Sequence, residues 1–332
     1  MIDRNRKIIS TFAPLAGLET MVKYSRQPVI FPFYHTVSDH PLAHISHLYP
    51  LRTEKDFEQD LEEMLNWFEP ISLGDFMGGK KLIEGKRYMV LTFDDGLAGC
   101  HQVIAPLLMK KGIPAAFFLN NHFIDNRGLF YRYKASLLIE RIRRDAEALK
   151  RVAEYLSIPP GRVEASVHLI GEDQISLLDV LIKEVEVDVA LYLKDSPVYL
   201  SSMQVMELVQ WGFEIGGHSP NHADFSKLEP KEIISQVTSS IGDLQHRFQV
   251  STRYFSFPFT SWGIPEEVID QLMEKGTAEV LLGTAGLKKQ DKAGFIQRIP
   301  MEEFHGPAEK ALKTEYLYYL LKGVVGRNRL GT

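Results

Sequence analysis

The chain has 332 residues, 45% of them apolar and 24% charged, and its 38 basic and 43 acidic side chains give a formal charge of −5. These values exclude disordered and fibrous classes, and mild acidity without a basic run interleaved with aromatics argues against a nucleic-acid partner. A single cysteine, Cys100, rules out an internal disulfide and a thiolate cluster, so any metal must be held by histidine and carboxylate.

The first residues, MIDRNRKIISTFAPLAGLETMVKYSRQ, are basic at the start but have no apolar run of signal-peptide length. No later stretch reaches the roughly 18 apolar residues of a membrane span, and a cytoplasmic location is expected. Val29–Tyr34 (VIFPFY) reads as a strand that ends at His35, the position where parallel sheets and barrels place reacting groups. His40, His44 and His47 follow at irregular spacing, and Pro41 and Pro50 punctuate the stretch, which predicts a loop rather than a zinc cluster. Thr53–Phe68 predicts a helix: Thr53 caps it, acidic residues fill its first turn, and Phe57, Leu61, Met64, Leu65 and Phe68 recur at helical spacing.

Tyr88–Gly96 (YMVLTFDDG) is an apolar strand that delivers two carboxylates and a glycine to a sheet rim. Asp-Asp-Gly alone is also ordinary turn chemistry. Neighbouring strand residues point to opposite faces, so Asp94 and Asp95 converge on one site only if the backbone leaves strand geometry there, as Gly96 permits. Val103–Lys111 predicts a helix closed by Gly112, and Ala115–Leu119 a second buried strand, which implies parallel pairing.

From about 126 to 198 the pattern turns helical. Leu137–Leu156 predicts one charged amphipathic helix, IPPG at 158–161 breaks it, and Gln174–Val187 predicts another. Arg141, Arg143 and Arg144 read as a solvated helix face. Strand and helix signals then alternate through Ser202–Trp211, Phe213–Gly216, Pro230–Phe248, Tyr254–Phe257, Pro265–Lys275, Val280–Leu282 and Ile296–Ile299. This repetition predicts an α/β domain over 28–306, a distorted (β/α) barrel carrying a helical insertion at about 126–198. A C-terminal helix within 307–332, over Ala308–Val325, is expected to pack on the barrel or a partner subunit. Docking to a membrane surface is the lesser reading, and no pattern fixes an oligomeric state.

HSPNH places His218 and His222 four residues apart. A helical turn capped by Ser219 and starting at Pro220 would bring both imidazoles to one side. With Asp95 they form a two-histidine, one-carboxylate set, the protein half of a catalytic zinc site, and Asp94 is left free to act as a base.

TFDDG, HSPNH and FSFPF (Phe255–Phe259) resemble the first three motifs of the polysaccharide deacetylases, the NodB-homology proteins of carbohydrate esterase family four. The resemblance implies a divalent metal, most simply zinc, held by Asp95, His218 and His222. It also implies Asp94 as base and the backbone N–H of Phe259 as an oxyanion donor. Ser256 stands where many members have the arginine that orients the base, and Arg298 in FIQRIP is the candidate substitute. The C-terminal Leu-x-His of most members is absent. Tyr34-His35 instead matches the branch resembling poly-N-acetylglucosamine deacetylases, which makes His35 the candidate general acid. Trp262 is the candidate sugar-stacking residue. The activity so implied is hydrolysis of the carbon–nitrogen bond of acetamido groups on N-acetylated sugars. The rivals are an O-acetyl esterase, another amidohydrolase, and a non-catalytic carbohydrate-binding relative.

Overall fold

The computed structural model describes residues 4–329 apart from Gln290 and His305, so the last three residues of the 307–332 segment lie outside the described residues. Eight short strands form its main sheet: β1 Pro32–Tyr34, β2 Leu91–Phe93, β3 Ala115–Leu119, β4 Glu214–Gly217, β5 Tyr254–Ser256, β6 Val280–Gly283, β7 Phe295–Gln297 and β8 Ile299–Pro300. Their spatial order is β7-β6-β5-β4-β3-β2-β1-β8, and every pairing is parallel. β7 and β8 are consecutive in the chain, separated by Arg298 alone. β7 pairs with β6 at one edge while β8 pairs with β1 at the other, and this one segment nearly closes the sheet into a barrel. Strands covered on both faces need no alternation of polar and apolar residues, and β2 and β3 are buried throughout. A smaller parallel set, Val29–Ile30, Tyr88–Met89 and Glu69–Pro70, extends the entry ends of β1 and β2.

Helices cover the outside. Glu54–Leu65 starts where Thr53 accepts a hydrogen bond from the Asp56 N–H, and it buries Phe57, Leu61 and Met64. Ser202–Gln210, Pro230–Phe248 and Glu266–Glu274 fill the same role between successive strands. The expected single helix over Leu137–Leu156 is two helices, Tyr131–Arg144 and Ala146–Leu156. The break lies at Asp145, which is extended and whose carboxylate caps the second helix by accepting from the N–H groups of Glu147 and Ala148. Pro160–His168, Ile175–Glu184 and Val189–Asp195 complete this segment. Its helices share an apolar cluster that includes Leu138, Val152, Val163, Leu178 and Leu181, and that reaches the barrel rim at Ile45 and Leu97. The two ends of the segment are stapled together, for the Asp125 N–H donates to Leu200 O and the Tyr199 N–H to Asn126 Oδ1, each at 2.9 Å. Arg141, Arg143 and Arg144 pair with Asp145, Glu164 and Glu140.

The terminal helices Arg4–Phe12, Leu18–Ser25 and Ala308–Val324 pack on one another beside the closing strands. Glu315, fully buried, pairs with Arg6 and accepts the Leu287 N–H at 3.1 Å. Among the described residues no helix is long and apolar enough to cross a membrane. Glu315→Leu removes the carboxylate that Arg6 and the Leu287 N–H share, and is expected to lower unfolding free energy by about 3–5 kcal/mol in urea titration. An unchanged midpoint would mean that apolar packing alone holds these helices.

Candidate active site

The two carboxylates of β2 separate because the backbone turns over at once. The Asp94 N–H still continues the sheet ladder to Tyr34 O at 3.0 Å, whereas Asp95 and Gly96 adopt left-handed conformations with φ of +70° and +67°. A side chain at Gly96 would be strained by its positive φ, and its Cβ would press on Leu119 Cδ2 at 2.9 Å, so glycine suits this turn. Both carboxylates consequently reach the C-terminal rim.

Asp94 is 2% exposed and meets the fully buried Arg298 in a bidentate pair, Nη1 to Oδ1 at 2.8 Å and Nη2 to Oδ2 at 2.6 Å. Ser256 Oγ donates to the same carboxylate at 3.1 Å and accepts from Arg298 Nη2 at 2.6 Å. The guanidinium also donates to Thr92 Oγ1 and Gly283 O, and it lies 4.4 Å from the ring centre of Phe33. Burial pushes the Asp94 carboxyl upward, but the charge of Arg298 and its hydrogen bonds outweigh it and hold the carboxyl below its usual range. Arg298 thus reaches Asp94 from the bend between β7 and β8, and the small side chain of Ser256 leaves room for it.

Asp95 Oδ1 lies 3.3 Å from His218 Nε2 and 3.3 Å from His222 Nε2. All three residues are at least nine-tenths buried. His218 Nδ1 donates to Ser256 O at 2.8 Å, which leaves its Nε2 lone pair directed into the site. The turn carrying the histidines is not the expected helical one. Ser219 and His222 have φ of +64° and +61°, although Ser219 Oγ does accept the His222 N–H at 2.8 Å in the manner of a cap. Asp95, Ser219, His222 and Phe259 (φ +56°) are all left-handed non-glycine residues, a concentration of backbone strain at one place. Asp95 Oδ1 is buried without a hydrogen-bond partner, and the three ligand atoms lie within 4.8 Å of one another. An orphaned carboxylate oxygen between two imidazole nitrogens fits a divalent cation with nitrogen and oxygen ligands.

His35 lies at the end of β1. Its Nδ1 is 2.5 Å from Glu302 Oε2, and Oε1 of the same carboxylate accepts the His35 N–H at 2.8 Å. Burial pulls the imidazole pKa down, but Glu302, reinforced by Asp95 and Asp94, reverses this and raises it to about 9. The ring is therefore cationic at neutral pH, with Nδ1 bound to Glu302 and Nε2–H free to be given away. Tyr49 stacks on it at 4.8 Å.

Phe259 packs edge-on against the His222 ring at 4.6 Å, and Trp262 is 64% exposed on the loop that follows. His44 and His47 bond Tyr192 and Glu140, away from Asp95. Glu302 and Tyr133, whose hydroxyl donates to Asp95 Oδ2 at 2.5 Å, have no motif to mark them. The signal for Glu302 is its place just after the closing strand, while nothing local distinguishes Tyr133 from its aromatic neighbours.

Two expectations follow from these ion pairs. Glu302→Gln removes the charge that raises His35, so the imidazole should titrate well below 9, toward its ordinary 6.5, in an NMR pH series. Arg298→Met removes the charge that depresses Asp94, so the acidic limb of the pH–rate profile should move to higher pH; an unmoved limb would separate Arg298 from the candidate base Asp94.

Residues 81–279, more than half of the chain, match the family model described as polysaccharide deacetylase. No curated protein sequence matches the chain. Among solved structures it is similar to the deacetylase PplD from Streptococcus pyogenes in complex with acetate, at 14% identity over 86% of this chain and 97% of that one, with a TM-score of 0.56. It is also similar to IcaB from Ammonifex degensii, at 15% identity over 86% and 97% with a TM-score of 0.53. A third such structure is BC0361, a polysaccharide deacetylase from Bacillus cereus, at 13% identity over 86% and 68% with a TM-score of 0.53. At these identities the likeness is one of fold, and the family follows from the sequence match carrying TFDDG, HSPNH and FSFPF on this barrel: the chain belongs to the polysaccharide deacetylases.

Proposed function

We propose that this chain is a metal-dependent N-deacetylase acting on acetamido groups of N-acetylated amino sugars. The observation that carries the reading is the division of labour between adjacent carboxylates: Asp94 is locked ionised by Arg298, while Asp95 offers an unpartnered oxygen between two imidazoles. Asp95, His218 and His222 would hold the ion, zinc by this donor set. When bound it supplies Lewis acidity that eases loss of a proton from water and polarises the acetyl carbonyl.

The rest is the work of the chain's own groups. Asp94, kept anionic and oriented at both oxygens, accepts a proton from the attacking water as the water oxygen bonds to the acetyl carbon. His35 gives its Nε2 proton to the amine nitrogen as the C–N bond breaks, releasing acetate and a free amino sugar. Its raised pKa keeps that proton in place at neutral pH, and Glu302 stabilises the cation before transfer. The Phe259 N–H is the carried-over donor for the developing oxyanion. Phe259 and the exposed Trp262 offer aromatic faces for a sugar ring.

An amine departs poorly unless protonated, whereas an activated aryl acetate leaves as a phenolate. On short N-acetylhexosamine oligomers His35→Ala should lose about 10²- to 10⁴-fold in rate yet retain much of its aryl acetate hydrolysis, with metal-stripped enzyme inactive on both. Equal losses on both substrates would remove His35 from the acid role, and turnover of acetyl esters alone would favour the O-acetyl esterase reading.

A further inference from the structure

The helix Tyr131–Arg144 opens directly against the candidate metal centre. Phe130, just before it, lays its ring 4.3 Å from that of His222, the Arg132 guanidinium sits 4.6 Å from the ring centre of Phe259, and the Tyr133 hydroxyl donates to Asp95. Three side chains within positions 130–133 thus touch the three loops that follow β2, β4 and β5. Within Asp95 the two oxygens differ in kind: Oδ2 is occupied by Tyr133 at 2.5 Å, and Oδ1, 3.3 Å from each histidine nitrogen, has no hydrogen-bond partner.

We infer that Tyr133 is a positioning residue for the metal, occupying Oδ2 so that Asp95 presents Oδ1 alone between His218 and His222. A carboxylate turns readily about its Cβ–Cγ bond, and without the hydroxyl Asp95 could offer both oxygens or swing away. Tyr133 cannot easily follow such a swing. It is 1% exposed and packed edge-on against Phe130 at 5.3 Å, with Tyr199 at 6.3 Å. The helical segment, which takes no part in closing the barrel, thereby becomes a component of the metal centre, and retention of the ion depends on its docking. This inference rests on the reading of Asp95, His218 and His222 as ligands.

Zinc affinity of the full chain, measured by chelator competition, tests both separately. Tyr133→Phe is expected to weaken zinc binding by about 10- to 100-fold, the usual effect of removing a hydrogen bond to a ligand. Tyr199→Phe removes a neighbouring buried hydroxyl that accepts the Phe130 N–H at 3.2 Å and does not touch Asp95, so it should leave zinc affinity unchanged. Thermal melts report the packing cost of both: a merely structural role for Tyr133 predicts lowered melting temperatures in the two variants and altered affinity in neither. If Tyr133→Phe does not fold, Tyr133→Met serves, since it too fills space and cannot donate. Loss of zinc in His222→Ala with full affinity in the Tyr133 variant overturns the inference and leaves the ligand set standing. Equal zinc binding by wild type and His222→Ala, or none by wild type, overturns the ligand set and the inference with it.

Discussion

The buried pair between Arg298 and Asp94 is the constraint on which the rest depends. Two charges at 0% and 2% exposure would be costly to desolvate separately, and the bidentate geometry with added bonds from Ser256 and Thr92 offsets that cost. Its position gives it a second effect. Arg298 stands where the chain passes from β7 to β8, from one edge of the sheet to the other, with its N–H bonded to Gly283 O and its carbonyl accepting the Gly286 N–H. The residue that closes the barrel is the residue that holds the candidate base, so barrel closure and base orientation are set together.

Around that pair, opposite electrostatic partners push two titratable groups apart. Arg298 holds a carboxyl in its charged form, and Glu302 holds an imidazole in its charged form, each against the pull of burial. Near neutral pH one group is ready to take a proton and the other to give one, a pairing that suits hydrolysis of an amide whose leaving group must be protonated. A metal would be held by the separate set of Asp95, His218 and His222.

The third element is the aromatic layer over the site. Phe130, Tyr133, Tyr49 and Phe259 pack on His222, Asp95 and His35 from segments far apart in the chain. Burial of this degree strengthens the ion pairs beneath it and fixes side chains whose backbones are left-handed at Asp95, His222 and Phe259. The helical segment is therefore tied to the barrel at the place where the site needs rigidity.

The sequence by itself determined the barrel and the short-range chemistry. Apolar runs such as AAFFL become strands buried on both faces, Thr53 caps its helix, Gly96 allows the turn that parts Asp94 from Asp95, and HSPNH brings two histidines to one place, because these effects act within a few residues. Where local signals compete, periodicity misleads: the apolar spacing of Leu137–Leu156 runs straight through Asp145, whose carboxylate gains more by capping a new helix than by sitting inside the old one. The HSPNH turn is likewise not the helical one that its spacing suggests, since Ser219 and His222 are left-handed. Only the tertiary structure decided the long-range partners. Arg298 meets Asp94 across 204 positions, Glu302 meets His35 across 267 and Tyr133 meets Asp95 across 38. Such pairs are fixed by strand order and by how the helical segment docks, and no periodicity in the chain encodes a contact made by closure of the sheet.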